Sequence, residues 1–152
     1  MGQITRLRRN AKDAFTLSSF LQENEHLLPD PLSKHIDIPD YALKLISLGE
    51  TFAYTDKDIV CGIVTGYIND FSRKEAYLQV LLVSDNYQGN HISTKLIDCF
   101  IHEASNQFGS GKVFLNVDKS NSKAYDIYIH LGFVPSQRKH KNPNKLILEF
   151  CL

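Results

Sequence analysis

The fold of this chain is decided by residues 77–97, which read YLQVLLVSDNYQGNHISTKLI. The first seven residues form an apolar run of strand length, and the polar residues 84–86 after it favour a turn. From Ile92 onward, apolar residues recur every three or four positions, which is typical of an amphipathic helix. The pattern therefore predicts a buried strand, a polar turn that contains Gly89, and a helix that begins at that turn.

The start of this predicted helix is suited to binding an anion. The first turn of a helix has backbone N–H groups without intrahelical partners, and the macrodipole adds partial positive charge at the same end. A phosphate is bound there by the main chain, so the identity of the side chains matters little. The sequence thus predicts a phosphate site at the turn.

A second helix is predicted where residues 121–133 read NSKAYDIYIHLGF. Asn121 stands where an N-cap residue is favoured, and Gly132 is suited to end the helix at the C′ position. The helix follows a predicted strand at 113–117. A strand, a turn, a helix, a strand and a helix therefore follow one another between residues 77 and 133.

These segments together resemble the GNAT superfamily of acetyl-CoA-dependent N-acetyltransferases, over roughly residues 53–133. The cofactor turn of that family reads Gln/Arg-x-x-Gly-x-Gly/Ala and falls here on residues 88–93. His91 stands where the family usually has Gly, and Ser93 replaces the second small residue. The later family pattern, Asn-x-x-Ala-x-x-x-Tyr-x-x-x-Gly-Phe, is complete in this chain at Asn121, Ala124, Tyr128, Gly132 and Phe133.

The resemblance implies an α/β (α+β) fold in a single domain that spans residues 1–152. Its mixed central sheet would have about six to seven strands, with helices on both faces. The central parallel strands at 77–83 and 113–117 would splay apart and admit the pantetheine arm of acetyl-CoA. The other predicted elements are helices at 11–28 and 39–48, strands at 51–55, 59–69 and 76–83 in a meander, and a late strand at 145–150.

The resemblance also implies an activity, the direct transfer of an acetyl group from acetyl-CoA, the cosubstrate, to a primary amine. The acceptor would be a small molecule, such as an amino sugar, a polyamine or an amino acid, or a peptide, and residues 27–46 and 136–145 would shape its site. Main-chain groups of Leu82 and Val83 would bond the pantetheine amides. The other expected cofactor-binding residues are Gln88, Gly89, Asn90, His91, Ile92, Ser93, Thr94 and Asn121.

Tyr128 is the residue expected to act as the catalytic acid. A phenol with a pKa of about 10 stays protonated at neutral pH and can donate its proton to the departing CoA thiolate. Spacing alone fits a core aromatic residue, and the complete family pattern favours the acid. Asn121 has two readings as well, a helix N-cap and a contact to the cofactor. The general base is left open among an ordered water and Tyr77, Gln79, Asp118 and His130.

His91 departs from the family pattern, and this departure is compatible with a second function. If only its backbone amide faces the phosphate, cofactor binding persists with some strain, whereas a position that demands Gly would lose affinity. The alternative is therefore a non-catalytic CoA-binding or protein-interaction domain that retains the fold. The basic run 138–141 is read as solvated, with the 3′-phosphate of CoA or an acidic acceptor as its other possible partners.

The composition limits the partners of the chain. Seventeen Lys and Arg residues balance seventeen Asp and Glu residues, which argues against nucleic acid or a membrane as the main partner. No apolar stretch approaches the roughly 20 residues that cross a bilayer, and the first residues lack a secretory pattern, so a cytoplasmic protein is expected. The three cysteines lack metal-ligand spacing, so no metal is expected. The resemblance is compatible with a homodimer.

Overall fold

Seven strands form one mixed sheet in the computed structural model, which describes residues 2–152. The strands are Gln3–Arg6 (β1), Glu50–Asp56 (β2), Ile59–Asp70 (β3), Glu75–Val83 (β4), Lys112–Asp118 (β5), Val134–Pro135 (β6) and Lys145–Cys151 (β7). Their order across the sheet is β1-β2-β3-β4-β5-β7-β6. β4 and β5 pair in parallel, and the other neighbouring pairs are antiparallel. The predicted mixed sheet is confirmed, and β1 and β6 are additions to it.

Four α-helices flank the sheet: Ala11–Asn24 (α1), Ile38–Leu48 (α2), Ile92–Phe108 (α3) and Ser122–His130 (α4). Capping side chains start three of them, because oxygens of Asn10, Asp37 and Asn121 accept from backbone amides in the first turns of α1, α2 and α4. Each such bond satisfies an amide that has no intrahelical partner. After α4, Gly132 has a φ of 108°, which is the conformation expected of a helix-ending glycine.

The first helix is shorter than the predicted segment 11–28. α1 ends at Asn24, and a single 3₁₀ turn follows at Glu25–Leu27. Leu28 is extended, with a φ of −87° and a ψ of 141°, because a residue before proline is disfavoured in the helical region. The prediction was therefore wrong by one turn at this end. The predicted domain also begins at Met1, which lies outside the described residues.

Apolar side chains fill one layer on each face of the sheet. On one face, α1 and α2 pack against β2, β3 and β4 around the fully buried Leu17, Leu21, Leu45 and Ile63. On the other face, α3 and α4 pack around the fully buried Leu96, Phe100, Val113 and Phe133. Burial of such a side chain contributes about 1.5–3 kcal/mol. The prediction of helices on both faces is confirmed.

The two parallel strands separate halfway along their length. β4 pairs with β5 only where residues 75–78 face residues 112–115. Beyond this point β4 stays paired with β3 up to Val83, and β5 stays paired with β7 up to Asp118. Each strand thus keeps its outer partner while the inner edges part, and the predicted splay is confirmed.

A β-bulge stands at the start of the splay. Leu78 pairs with Gly66 and Val80 pairs with Thr65, so Gln79 is an extra residue in β4. A bulge of this kind bends its strand and ends regular pairing. It therefore gives a local reason for β4 to turn away from β5 at this point.

Candidate active site

A cavity of about 230 Å³ lies at the separated ends of β4 and β5. Its walls come from the end of β4, the turn into α3 and the start of α4, and Leu27 and Leu28 also contribute. Most of the predicted site residues line this cavity, namely Leu82, Val83, Gln88, Gly89, His91, Ile92, Ser93, Asn121 and Tyr128. Asn90 and Thr94 do not. The Asn90 side chain instead donates to the Tyr87 carbonyl at 3.2 Å.

The backbone of β4 presents alternate residues to the gap between the strands. The Ser84 amide donates to the Cys61 carbonyl of β3 at 3.0 Å, so the main-chain groups of Ser84 face β3. Because these groups alternate along a strand, those of Leu82 also face β3, and those of Leu81 and Val83 face the gap. The main chain of Leu82 was expected to bond the pantetheine amides, but the groups that face the gap are those of its neighbours Leu81 and Val83. Leu82 still lines the cavity.

The turn into α3 directs backbone amides at the cavity. The first intrahelical bond of α3 joins the Lys95 amide to the His91 carbonyl at 3.2 Å, so the amides of residues 92–94 have no acceptor within the helix. No side chain within residues 2–152 caps α3, unlike the other three helices. Gly89 has a φ of 84°, and a Cβ there would contact nothing within 4 Å. The turn therefore offers donors and space to an anion.

His91 adopts the left-handed conformation that a glycine would reach without steric cost. Its φ is 60° and its ψ is 21°, and this conformation costs a residue with a Cβ roughly 1–2 kcal/mol. The His91 side chain is exposed. The backbone thus follows a path that Gly could share, and His91 holds it with some strain.

Tyr128 lies in α4, where its ring packs in the core and the residue lines the cavity. The side chain is 8% exposed, and its ring centroid is 5.8 Å from that of Phe133. Within residues 2–152 the hydroxyl has no hydrogen-bond partner. Burial raises the pKa of Tyr128 to about 12, so the phenol is neutral at physiological pH. Both readings of this residue, core aromatic and proton donor, are compatible with its position.

Asn121 acts as a helix cap. Its side-chain oxygen accepts from the Ala124 amide at 3.2 Å, which places Asn121 at the start of α4 and beside the cavity. The structural role is therefore present in the protein alone. A contact to a cofactor stays a prediction.

The candidates for a general base are dispersed. Asp118 is held in its own turn, where the hydrogen bonds from Ser120 lower its pKa, and His130 is exposed at the end of α4. Neither residue lines the cavity. Burial is the first cause that raises the pKa of Tyr77, so this phenol also stays protonated. None of these three side chains is placed to accept a proton inside the cavity.

A smaller pocket of about 70 Å³ lies beside the start of the splay. Its polar lining side chains are Tyr77, Gln79, Asn116 and Arg138. Tyr41 of α2 donates its hydroxyl to Gln79 Oε1 at 3.3 Å. Of the two segments that were expected to shape the acceptor site, the second lines this pocket through Arg138, and the first contacts its lining residue Gln79 through Tyr41.

Arg138 is exposed, as are Lys139 and Lys141 of the basic run 138–141, but other side chains also bind its guanidinium. Its two terminal nitrogens donate to the Glu75 carboxylate, and its Cζ lies 4.0 Å from the centroid of the Phe114 ring. Tyr77 donates its hydroxyl to the same carboxylate at 2.7 Å. A carboxylate as buried as that of Glu75, 9% exposed, requires such partners. An acidic residue at the start of an apolar strand was the sequence signal for this cluster.

The model of the acetyltransferase (GNAT) family matches residues 15–133. The chain belongs to this family. The predicted recognition and the predicted class of enzyme, an acyltransferase, are confirmed. Among curated protein sequences, none matches this GNAT acetyltransferase at a significant level.

Solved structures of other acetyltransferases share the fold of this GNAT acetyltransferase. The ribosomal-protein-S18-alanine N-acetyltransferase of Escherichia coli superposes with a TM-score of 0.76 at 18% identity, covering 99% of this chain and 94% of that one. PaiA N-acetyltransferase of Thermoplasma acidophilum, in complex with coenzyme A, gives 0.76 at 15% identity, covering 99% and 98%. An aminoglycoside 6′-acetyltransferase of type Ii gives 0.77 at 17% identity, covering 97% and 95%.

Over residues 2–152, no helix has the length and apolar character needed to cross a membrane. The same residues contain no group of His, Cys, Asp and Glu side chains that could hold a metal ion.

Proposed function

We propose that this GNAT protein is an N-acetyltransferase that moves the acetyl group of acetyl-CoA directly to a primary amine of a small molecule or a peptide. One observation carries the proposal. At the splay of β4 and β5, the end of β4, the uncapped turn into α3 and Tyr128 line a single cavity.

The groups around the cavity fit the parts of acetyl-CoA. The amides of residues 92–94 would hold the diphosphate, since a helix N-terminus binds anions through its free N–H groups. The main-chain groups of Leu81 and Val83 would bond the amides of the pantetheine arm. When bound, acetyl-CoA supplies a thioester whose carbonyl carbon accepts an amine. The protein needs no nucleophile of its own, because alignment of the two reactants supplies much of the rate enhancement.

Tyr128 would provide the proton that the leaving sulfur needs. The amine nitrogen forms a bond to the acetyl carbon, the carbon–sulfur bond breaks, and the sulfur takes the hydroxyl proton of Tyr128. The nitrogen loses one proton to solvent, and Tyr128 regains a proton from solvent. General acid catalysis of this kind contributes about 10²- to 10⁴-fold.

The raised pKa of Tyr128 is compatible with this role. Burial penalises a phenolate, which raises the pKa of Tyr128, and it would penalise a thiolate buried beside Tyr128 in the same way. The transfer therefore depends on the difference between the two pKa values in the cavity. The value of about 12 for Tyr128 ensures that the proton is present at the start of the reaction.

The acceptor amine would enter from the side of the smaller pocket, where Tyr41 and Arg138 meet β4. The names of two solved relatives indicate amine acceptors of different kinds, an aminoglycoside and the alanine of a ribosomal protein. We therefore propose to test amino sugars, polyamines, amino acids and peptides together.

The first experiment is a titration of the purified protein with acetyl-CoA and with CoA, followed by calorimetry and thermal unfolding. A ligand at 100 times its Kd adds about 2.7 kcal/mol of stability, which is roughly 5–10 °C for a domain of this size. Saturable binding, followed by acetylation of an amine in the panel, is expected. No binding at millimolar ligand would overturn the proposal. It would favour the alternative function, a protein-interaction domain that retains the fold, which the strained backbone at His91 supports.

Three finer expectations belong to the same proposal. Residues 1–152 would form one domain, which is supported by strands from Gln3 to Cys151 in one sheet. The protein would act in the cytoplasm, without a nucleic acid or a membrane as partner. A homodimer stays a prediction from the resemblance.

A further inference from the structure

A chain of hydrogen bonds crosses the cavity from β4 to α4. The Gln88 side-chain nitrogen donates to the Val83 carbonyl at 3.1 Å. The Lys123 ammonium donates to the Gln88 side-chain oxygen at 3.4 Å. All three residues line the cavity. This Val83–Gln88–Lys123 bridge therefore joins the two walls between which the cofactor arm would pass.

Gln88 binds the carbonyl that the cofactor arm would need. The main chain of Val83 faces the gap, and a carboxamide N–H of Gln88 now donates to its carbonyl. An amide N–H of the pantetheine arm is the same kind of donor. The carbonyl oxygen can accept two hydrogen bonds, but the Gln88 side chain lies in the cavity that the arm would enter, so the arm and the Gln88 side chain compete for the space beside Val83.

Lys123 is a cation without an anionic partner in a position that disfavours cations. It is exposed in the first turn of α4, where the positive end of the helix macrodipole lies. Over residues 2–152 no carboxylate pairs with it, and its bond to Gln88 is to a neutral oxygen. The uncapped turn of α3 lines the same cavity. Two sources of positive charge thus face one space from opposite walls.

We propose that Lys123 determines the specificity of this protein for a phosphorylated carrier, by binding a phosphate group from the α4 wall. The inference rests on the proposed function. When the arm takes the Val83 carbonyl, the Gln88 side chain is released and Lys123 loses its neutral partner. The ammonium then turns to the phosphate, so recognition of the arm and recognition of the anion are coupled.

Calorimetric titration of Lys123→Met tests this inference, because methionine keeps the length of the side chain and removes its charge. CoA and dephospho-CoA, which lacks the 3′-phosphate, are the probes. Loss of one charge-assisted hydrogen bond is expected to weaken CoA binding about tenfold. An equal loss for both probes assigns Lys123 to the diphosphate, and a loss for CoA alone assigns it to the 3′-phosphate.

Two controls separate this charge effect from a structural one. Lys123→Arg should retain most of the affinity. Lys119→Met removes another exposed lysine, which does not line the cavity, and should bind like the wild type. The wild type should also lose affinity more steeply with added salt than Lys123→Met.

The outcomes distinguish this inference from the proposed function. If the wild type binds no CoA, the proposed function itself fails. If the wild type binds CoA and Lys123→Met binds each probe as tightly as the wild type does, the role of Lys123 is overturned and the proposed function stands.

Discussion

On the cavity side of the splay, the free amides in the first turn of α3 and the main chain of Leu81 and Val83 are backbone groups without partners in regular secondary structure. On the pocket side, side chains bind one another, with Glu75, Arg138 and Tyr77 in one cluster. A site made of backbone tolerates many sequences, whereas a site made of side chains is particular to its sequence. Under the proposed function, backbone groups set by the fold would bind the cofactor, and side chains particular to this chain would select the acceptor.

The largest effect is expected on the cavity side, from Tyr128→Phe. Removal of the hydroxyl should lower kcat about 10²- to 10⁴-fold, the usual loss for a general acid. CoA affinity and thermal stability should change little, because the phenyl ring keeps its packing on Phe133. Steady-state kinetics with an acceptor from the amine panel, and calorimetry with CoA, measure these effects.

Tyr125→Phe is the matched control for this prediction, since Tyr125 lies on the same helix and does not line the cavity. Its turnover should match the wild type. If Tyr128→Phe also turns over at the rate of the wild type, the hydroxyl has no part in the reaction, and Tyr128 is a core residue alone.

A smaller effect is expected on the pocket side, from Glu75→Gln. Hydrogen bonds from Arg138 are the first cause that lowers the pKa of Glu75 below its ordinary value of 4.5. A lowered pKa stabilises the fold above the ordinary value, and this stability is lost as the pH falls through the folded-state pKa. At pH 7 the variant should unfold about 1 kcal/mol more easily, or roughly 2–4 °C lower.

The pH dependence makes this prediction specific. The difference in Tm between the wild type and Glu75→Gln should shrink as the pH falls below about 4.5, where the Glu75 carboxyl of the unfolded chain takes up a proton, and should be lost once the pH has fallen through the lower pKa of the folded state. Glu23→Gln changes an exposed residue of α1 and should follow the wild-type curve at each pH. A difference that stays constant down to pH 3 would show that the charge of Glu75 does not stabilise the pocket side.

The smallest effect is expected from His91→Gly, at the turn itself. Relief of the left-handed strain, roughly 1–2 kcal/mol, is partly offset by the greater freedom of Gly in the unfolded chain. A net gain of about 0.5–1 kcal/mol is expected in thermal unfolding, with CoA affinity changed less than about threefold because the same amides remain. His91→Val should instead destabilise the protein, since a β-branched residue fits this conformation poorly. A large gain in affinity for His91→Gly would show that the native turn is compromised.

Most of the sheet could be predicted from the sequence because its strands carry strong local signals. In the meander of β2, β3 and β4, apolar residues alternate with polar ones or form continuous runs, and polar turns separate the strands. β1 and β6 are short strands at the two edges, and the pattern within four or two residues is too brief to identify a strand. The end of α1 was missed because residues 25–28 continue the apolar pattern although the chain there has left the α-helix.

The candidate site was predictable where residue type dictates local geometry. Gly89, Asn121 and Gly132 mark a turn, a cap and a helix end, and each has that role in the structure. The sequence could not predict that the main-chain groups of Leu82 face β3, because their direction depends on the register with β3 and on the bulge at Gln79. In the Val83–Gln88–Lys123 bridge, Lys123 is distant in sequence from the other two residues, and no local pattern indicates its contact to Gln88.

The sequence by itself determined the order of the elements, the turn before α3 and the position of Tyr128, since short-range periodicity and conformational preference act over a few residues. Only the tertiary structure decided how the residues from β4, α3 and α4 come together at the site. Three features depend on packing between elements that are far apart in the chain: the pairing of Arg138 with Glu75, the separation of β4 from β5, and the contact between Lys123 and Gln88. Local sequence patterns cannot predict such packing.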